Sequence, residues 1–366
     1  MLFLAVIISF FVTVLLIPVA IGVLRSINLM DTPERRKVHL QNTPSMGGIA
    51  IFLGVATAGI FCIPFQELAI NKFILLGILL SFLLGLRDDV SSLQARQKLI
   101  IQSLAAFVVV VYGGVRIDSF FGIFGVEALP LFISAPLTVF IIVGLSNAYN
   151  LIDGIDGLAG SISLMASLFF GFWFYHTGNT FFMILNMALV SSLAAFLLFN
   201  WNPSRIFMGD TGSILLGFLL ATSAIVFVNE NAAYIGSAFF HFEAFVAVVI
   251  SVLIVPIYDT VRVFSMRIIE GKSPFVPDKK HIHHILLKQG FSHGRATLTL
   301  VAFNLFLVAL VISIQGLGNF LLIIATAFFS ISFGLFFDLR FIRYMKAERK
   351  KARAKTEANV FLSKSA

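Results

Sequence analysis

Residues 129–175 read LPLFISAPLTVFIIVGLSNAYNLIDGIDGLAGSISLMASLFFGFWFY, two apolar runs joined by a short segment that contains two aspartates. The runs, 129 to 148 and 157 to 175, approach the roughly 20 residues that a helix needs to cross the hydrocarbon core of a bilayer. Ionisable side chains are costly inside that core and usually have a function or a partner there. The stretch therefore predicts two membrane-spanning helices whose junction presents polar groups at one face of the membrane.

The same pattern recurs along the chain and predicts an all-α polytopic membrane protein. We expect eleven spanning helices, or ten if the short run at 99 to 112, which contains Gln102 and Ser103, does not cross. The other apolar runs are 1 to 24, 45 to 64, 69 to 86, 180 to 199, 212 to 228, 238 to 264, 297 to 315 and 319 to 338. Residues 1–338 are expected to form a single membrane domain, followed by a basic tail at 339–366.

Composition supports this fold class. A chain of 366 residues with 59% hydrophobic and 12% charged side chains has too little polar surface for a water-soluble globule. The single cysteine, Cys62, lies in an apolar run and is interpreted as a core residue. One cysteine excludes a disulfide framework and a cysteine-rich metal site.

Positive charge is distributed unequally over the predicted loops. Almost all lysines and arginines fall in one alternate set of loops and in the tail, whereas the other set holds only Lys72 and Arg116. The positive-inside rule makes the first set cytoplasmic, with the amino terminus outside and the carboxyl terminus inside. This segregation accounts for the net charge of +8 without a nucleic-acid partner. The tail segment 340–355 is predicted to continue the last helix and to reach anionic lipid headgroups.

Four acidic groupings lie at predicted cytoplasmic helix ends: Asp88 with Asp89, Asp153 with Asp156, Asp210, and Asp31 with Glu34. We interpret the last grouping as solvated loop acids or helix caps. The adjacent carboxylates of Asp88 and Asp89 repel each other, which indicates a nearby cation, either a metal or Lys98, or one raised pKa.

The segment NAYNLIDGIDGLAG, residues 147–160, places Asn147, Asn150, Asp153 and Asp156 at intervals of three. On a helical backbone this spacing keeps the side chains near one face, which could bind a metal or a nucleotide. An EF-hand calcium loop is the obvious competitor, but its spacing and its late glutamate are missing.

Two further segments carry candidate binding groups. In NWNPSRIFMGDTGSILLGF, residues 200–218, Asp210 is expected just before a helix, where it could cap the helix or bind a hard cation that bridges to phosphate. Phe207 could pack in the membrane or form a platform for a base. The segment HIHHILLK, residues 281–288, is predicted as a short helix capped by Asp278. Its histidines suggest zinc, but the basic neighbours favour a phosphate ligand.

A pair of charges is predicted inside the ninth span. Pro256 should kink that helix just before Asp259 and Arg262. These two residues are three apart and can form a structural ion pair.

Five ordered signatures resemble the polyprenyl-phosphate N-acetylhexosamine-1-phosphate transferase superfamily, in its bacterial undecaprenyl-phosphate N-acetylglucosamine-1-phosphate transferase branch. They are SMGGIAIF (45–52), GLRDDV (85–90) with Lys98, NAYNLIDGIDGLAGS (147–161), FMGDTGS (207–213) and HIHH (281–284). Each motif alone is weak, but this order on one membrane face is highly specific, and the resemblance spans residues 31 to about 293.

The resemblance implies a Mg²⁺-dependent reaction, with Mn²⁺ as an alternative ion, in which a lipid phosphate attacks the β-phosphorus of a UDP-sugar and releases UMP. It implies metal ligands at Asp210 and Asn150, and positioning or deprotonation of the lipid phosphate by Asp88 and Asp89. The implied substrate contacts are Lys98, Asn147, Asp153, Asp156, Phe207, His281, His283 and His284.

The implied substrates are a UDP-N-acetylhexosamine, most often the N-acetylglucosamine form, and undecaprenyl phosphate, at the cytoplasmic face of a bacterial inner membrane. Such a transferase starts cell-envelope glycan synthesis, for O-antigen or teichoic acid, and a homodimer is one expected state. The peptidoglycan phospho-MurNAc-pentapeptide translocase is an alternative, although HIHH departs from the continuous histidine run expected there. An ion-coupled transporter is the alternative from another class, but we find no internal repeat, and the acids cluster at one face.

Overall fold

The computed structural model describes residues 1–26, 30–31, 43–126, 128–234, 240–273 and 280–364. Fourteen α-helices occupy most of these described residues. In order they are α1 Leu2–Ser26, α2 Gly48–Cys62, α3 Phe65–Ile70, α4 Lys72–Val90, α5 Ala95–Phe107, α6 Leu131–Ile152, α7 Leu158–Thr177, α8 Thr180–Asn200, α9 Gly209–Ala233, α10 Phe245–Val252, α11 Ile254–Ile269, α12 Ile282–Lys288, α13 His293–Ser313 and α14 Gly318–Lys364. A π-helical turn, Val108–Tyr112, extends α5, and two-residue strands β1 Met30–Asp31 and β2 Thr43–Pro44 pair antiparallel.

The predicted all-α polytopic fold is confirmed, and each predicted span coincides with a helix or a helix pair. Among the described residues, eight helices are long and apolar enough to cross a membrane, and the bent pair α10 and α11 adds a ninth candidate. The remaining two predicted spans correspond to α2, with 15 residues, and α4, whose last turn is charged. The count of eleven therefore stays a prediction.

Helix α9 lies at the centre of the bundle, and its apolar residues are buried along nearly its whole length. Its main neighbours are α4 and α6. By contrast, α1 and α14 lie at the periphery and expose large apolar side chains, as lipid-facing helices do. Glycines permit the close packing around α9. A Cβ added at Gly48 of α2 would lie 2.1 Å from the Gly212 nitrogen, and one at Gly85 of α4 would lie 2.5 Å from the Asp210 carbonyl oxygen.

The ninth predicted span differs from its prediction in two ways. The bend of 75° falls between α10 and α11, at Leu253, and not at Pro256. Pro256 is the third residue of α11. A backbone N–H at this position has no acceptor within the helix, so proline there costs no helical hydrogen bond. The predicted ion pair between Asp259 and Arg262 is also wrong. Arg262 instead forms two bonds of 2.6 and 2.8 Å to Asp338 of α14, and Asp259 binds His281.

The segment 147–160 is not one helical face. Helix α6 ends at Ile152, and α7 begins after Gly157, which adopts a left-handed φ of +76°. Asp153 and Asp156 therefore lie on the connection between the helices, and only Asn147 and Asn150 share a helix. Likewise, α9 begins at Gly209, so Asp210 lies in its first turn and not ahead of it.

The tail follows the last span without a break, because α14 runs from Gly318 to Lys364. On the opposite face, the segment before α6 forms a small hairpin with a bridge between Ser119 and Ala128. Glu34 and Asp278 lie outside the described residues, so their predicted roles stay predictions. The capping role of Asp31 is also untested.

Candidate active site

The ends of four helices converge on the carboxylate of Asp210. The Lys98 ammonium of α5 lies 2.8 Å from one Asp210 oxygen and also pairs with Asp88 of α4. The Asn150 amide of α6 donates to the other Asp210 oxygen at 2.6 Å and to the Ser213 hydroxyl at 3.0 Å. Asp88 is almost fully buried and also accepts a bond from the Leu93 backbone N–H at 2.7 Å. The sequence-predicted residues Asp88, Lys98, Asn150 and Asp210 thus form one connected cluster.

Asp89 performs the capping role that was one of the two alternatives for Asp210. Its two oxygens accept the backbone N–H groups of Asp210 at 2.8 Å and of Thr211 at 2.9 Å, and Oδ2 also accepts the Thr211 hydroxyl. The first N–H groups of a helix lack partners within the helix and carry partial positive charge, so a carboxylate stabilises them. The predicted anion at this helix end is therefore the protein's own Asp89, and Asp210 remains free to face the cluster.

The glycines of SMGGIAIF hold the segment that precedes α9. The backbone N–H of Gly47 donates to the Phe207 carbonyl at 2.8 Å, and that of Gly48 donates to the Met208 carbonyl at 2.9 Å. Phe207 in turn donates its N–H to the Pro44 carbonyl at 2.9 Å. Phe207 is thus fixed beside the acidic cluster with its side chain half-buried. Its predicted contact with a base stays a prediction.

The histidine helix α12 lies over the turn between α6 and α7. His283 is buried, and a Cβ added at Gly154 would lie 2.4 Å from its Nε2, so the ring packs directly on this turn. Within the described residues neither ring nitrogen of His283 has a hydrogen-bond partner. Burial and the neighbouring His284 lower the pKa of His283 to about 3, which keeps the ring neutral. The His281 and His283 rings stack with centroids 5.6 Å apart.

Asp153 lies near both the histidine helix and the acidic cluster. It lies in the turn next to Gly154, is half-buried, and carries no hydrogen bond to the described residues. Desolvation, followed by the charges of Asp210, Asp89 and Asp156, raises the pKa of Asp153 to about 8. A cation placed among these acids would stabilise the ionised form of the Asp153 carboxyl group.

Two predicted substrate contacts, Asn147 and Asp156, have partners within the protein. The Asn147 amide donates to Gln102 Oε1 and to the Val143 carbonyl, both at 2.8 Å, one helical turn deeper than Asn150. Asp156 is buried and accepts the Ser204 hydroxyl at 2.9 Å, with His293 Nδ1 3.4 Å from its carboxylate. Asn147 thus lies one turn from Asn150 on α6, and Asp156 shares the connection after α6 with Asp153, on whose carboxyl group its charge acts.

Comparison with known proteins identifies the family of this chain. Residues 72–228 match the family model described as glycosyl transferase family 4. A probable undecaprenyl-phosphate N-acetylglucosaminyl 1-phosphate transferase of Bacillus subtilis is 32% identical, and the alignment covers 86% of this chain and 83% of the relative. The chain belongs to the polyprenyl-phosphate hexosamine-1-phosphate transferases of glycosyl transferase family 4. It is a multi-pass membrane protein and a transferase.

Two more relatives of this transferase carry related names. An undecaprenyl-phosphate alpha-N-acetylglucosaminyl 1-phosphate transferase of Thermotoga maritima is 33% identical over 82% of this chain and 85% of its own length. A decaprenyl-phosphate N-acetylglucosaminephosphotransferase of Mycolicibacterium smegmatis is 34% identical over 73% of this chain and 70% of its own. Both names are those of transferases, so the comparisons do not favour a transporter.

Sequence reasoning assigned the wrong partner to Asp259, which supports the transferase site, and missed Asn200 altogether. Asp259, fully buried, accepts the His281 ring at 2.8 Å and the Ile282 N–H at 2.8 Å. Asn200 bridges two loops, because it accepts the Gly157 N–H at 3.0 Å and donates to the Ile206 carbonyl at 2.8 Å. Asn200 is the last residue of α8, and its position at the end of an apolar run was the available signal. Asp259 lies inside α11, and its partner His281 is 22 residues away in sequence.

The donor set of the transferase fits a hard divalent cation that keeps part of its water. Among the described residues, no three histidine, cysteine or acidic side chains form a ready metal cage. Mg²⁺ does not need one, since one or two carboxylates, waters and substrate phosphates usually hold it. Four acidic side chains gather here, Asp88, Asp89, Asp153 and Asp210, and among the described cations Lys98 pairs with two of them, Asp88 and Asp210. The cluster therefore has the oxygen donors and the excess negative charge that Mg²⁺ requires.

Proposed function

We propose that the protein transfers N-acetylglucosamine 1-phosphate from UDP-N-acetylglucosamine to undecaprenyl phosphate and releases UMP. The observation that carries the proposal is the cluster around Asp210, in which acidic, amide and ammonium groups meet at one end of the bundle. Phosphoryl transfer needs positioning and charge neutralisation more than covalent chemistry, and this cluster offers both. The names of these relatives support the same sugar and lipid.

In the reaction, an oxygen of the lipid phosphate bonds to the β-phosphorus of the donor. The bond from that phosphorus to the bridging oxygen breaks, and the bridging oxygen leaves as part of UMP. The attacking phosphate is already largely ionised near neutral pH, since a phosphate monoester has a second pKa of about 6. Asp88 therefore orients the acceptor through its pairing with Lys98 and has no need to act as a strong base.

The site residues fall into two groups: some would hold the metal ion or the start of α9, and others would contact the substrates. Asp210 and Asn150 would hold Mg²⁺, or Mn²⁺ in its place, which when bound neutralises charge on the transferred phosphoryl group. Lys98 would contact a phosphate oxygen once substrate competes for its ammonium group. Asp89 keeps the first turn of α9 in place through its two backbone bonds. The histidines of α12 would face the sugar and pyrophosphate from the turn at Gly154.

The test is UMP release from purified protein in detergent with undecaprenyl phosphate, Mg²⁺ and a panel of UDP-sugars. We expect lipid-dependent UMP with UDP-N-acetylglucosamine, lost in Asp210→Asn and in EDTA, and restored to the wild type by Mg²⁺ or Mn²⁺. Asp118→Asn is the matched control, because Asp118 is an exposed carboxylate in the hairpin on the opposite face. No UMP from any donor, with folded protein, would contradict the proposal.

We further propose that the cluster lies at the cytoplasmic face of a bacterial inner membrane, because UDP-sugars are made in the cytoplasm. The distribution of lysine and arginine supports this orientation. Cys62 is only 2% exposed, so single cysteines can be introduced and labelled selectively. In whole cells, a membrane-impermeant maleimide should label Asp118→Cys directly but Ser92→Cys only after permeabilisation. The reverse pattern would invert the topology.

A further inference from the structure

Helix α12 is held at its first residues by two neighbouring side chains of α11. The buried Asp259 accepts the His281 ring and the Ile282 N–H, both at 2.8 Å. One turn further along α11, Arg262 donates from Nη1 to the Lys280 carbonyl at 2.7 Å. The backbone on both sides of His281 is therefore tied to α11.

Arg262 is itself fixed by the last helix. Its Nη2 donates to both oxygens of Asp338 on α14, at 2.6 and 2.8 Å, and its side chain is only 7% exposed. A buried guanidinium without a carboxylate partner is strongly unfavourable, so Asp338 is needed to keep Arg262 directed at Lys280. Asp338 touches neither the acidic cluster nor the histidines in the described contacts, and it acts through Arg262.

The far end of the histidine segment is also fastened to α14. Gln289 donates to the Phe337 carbonyl at 2.9 Å. The Arg340 guanidinium lies over the Phe291 ring at 5.6 Å, and Lys288 lies over the Phe341 ring at 5.7 Å. One turn of α14 around Asp338 thus contacts the segment after the histidines as well as Arg262.

We propose that Asp338 is a positioning residue for donor binding. Through Arg262 and the Lys280 carbonyl it sets where α12 lies over the Asp153–Gly154 turn. The inference rests on the proposed function for its kinetic consequence, but the position of α12 can be measured without any reaction. Losing the carboxylate should free the start of α12 and misplace the histidines, while the acidic cluster that serves the acceptor stays intact.

The experiment combines kinetics with a distance measurement on the full-length chain. Asp338→Asn should raise the KM for the UDP-sugar about tenfold, because small misplacements of positioning groups are costly. The KM for undecaprenyl phosphate should stay within about twofold of wild type, because the acidic cluster that serves the acceptor is not displaced. Asp338→Glu, which keeps the charge, should recover most of the donor affinity, and Arg343→Gln, an exposed cation on the same helix, should resemble wild type.

Spin labels at Lys288→Cys and Arg96→Cys report the position of α12 relative to α5 in every background. We expect a narrow distance distribution with Asp338 or Glu at this position and a broad one in Asp338→Asn. An unchanged distribution in Asp338→Asn would overturn the proposal, and so would a broad distribution with an unchanged donor KM. If Asp338→Asn does not fold, Arg262→Lys, which cannot reach both partners, is judged by the same criteria. If no donor gives UMP, the proposed function fails, while the distance measurement still decides whether Asp338 positions α12.

Discussion

The Lys98 ammonium lies 2.8 Å from the Asp210 carboxylate, although 112 residues separate the two in sequence. The contact joins the first turn of α5 to the first turn of α9. Because Lys98 also pairs with the buried Asp88, one cation holds two acids together at the centre of the site. Removing it should therefore affect both folding and chemistry.

Lys98→Gln should lower kcat by about 100-fold, since the variant lacks the cationic donor for a phosphate oxygen. It should also lower the free energy of unfolding by about 3 kcal/mol, because Asp88 is then a buried acid without a cation. Steady-state UMP release and thermal unfolding in detergent measure the two effects. Arg96→Gln is the control, since Arg96 is exposed on the same helix two residues earlier. Equal activity of the two variants would argue against Lys98 as a substrate contact.

Substitutions of Asp89 and of Asp88 should have different effects, because of these two residues only Asp89 accepts backbone N–H groups at the start of α9. Asp89→Ala removes the acceptor for two backbone N–H groups, and we expect a loss of about 1 to 2 kcal/mol in the free energy of unfolding. Asp89→Asn keeps an acceptor and should lose less. Asp88→Asn should lower activity with a smaller effect on unfolding than Asp89→Ala. Should Asp89→Ala unfold at the wild-type temperature, the capping role would be refuted.

The acidic turn should make stability depend on pH in the absence of divalent cations. The pKa of Asp153 is about 8 in the folded protein, against about 4 for an ordinary aspartate. The folded state thus holds a proton that the unfolded chain releases, so this contribution to stability is lost as pH rises from about 4 to about 8. Melting temperatures in EDTA should fall more between pH 6 and pH 8 for wild type than for Asp153→Asn. Asp118→Asn should follow wild type, and parallel curves for wild type and Asp153→Asn would contradict the shift.

Much of the fold was predictable because bilayer chemistry acts locally on the sequence. Each apolar run of suitable length became a helix or a helix pair, since a backbone in lipid must satisfy its own hydrogen bonds. The candidates Asp88, Lys98, Asn150 and Asp210 could be named because polar groups at such helix ends need partners or a function. Which of them touch could not be predicted, because the contacts join residues far apart in sequence.

The wrong predictions have two causes: a tertiary partner replaced a local one, or a helix ended where the spacing suggested that it continues. Asp259 and Arg262 are correctly spaced for an ion pair, but α12 and α14 supply each with a better-placed partner. The spacing of three in residues 147–156 suggested one helical face, yet the helix ends at Ile152 and Gly157 turns the chain. Asp210 looked like a cap by position, while Asp89 reaches the same N–H groups from α4.

The close approach of α2 and α9 at Gly48 yields the last prediction. A Cβ at Gly48 would lie 2.1 Å from the Gly212 nitrogen and 2.4 Å from its Cα, and backbone atoms cannot rotate away as a side chain can. Gly48→Ala must therefore push α9 away from α2, at a cost of at least about 1 to 3 kcal/mol in the free energy of unfolding. Because Gly212 is two residues from Asp210, UMP release should also fall.

Gly144→Ala is the matched control for this substitution. Gly144 lies inside α6, and a Cβ there would meet no atom within 4 Å. Alanine at that position should leave activity unchanged and raise stability by up to about 1 kcal/mol, because glycine loses more backbone entropy in a helix. Thermal unfolding and UMP release of the two variants, measured side by side, test the packing. If Gly48→Ala matched Gly144→Ala in both assays, α2 and α9 could not be in backbone contact, and the first turn of α9 would need another means of holding Asp210 in place.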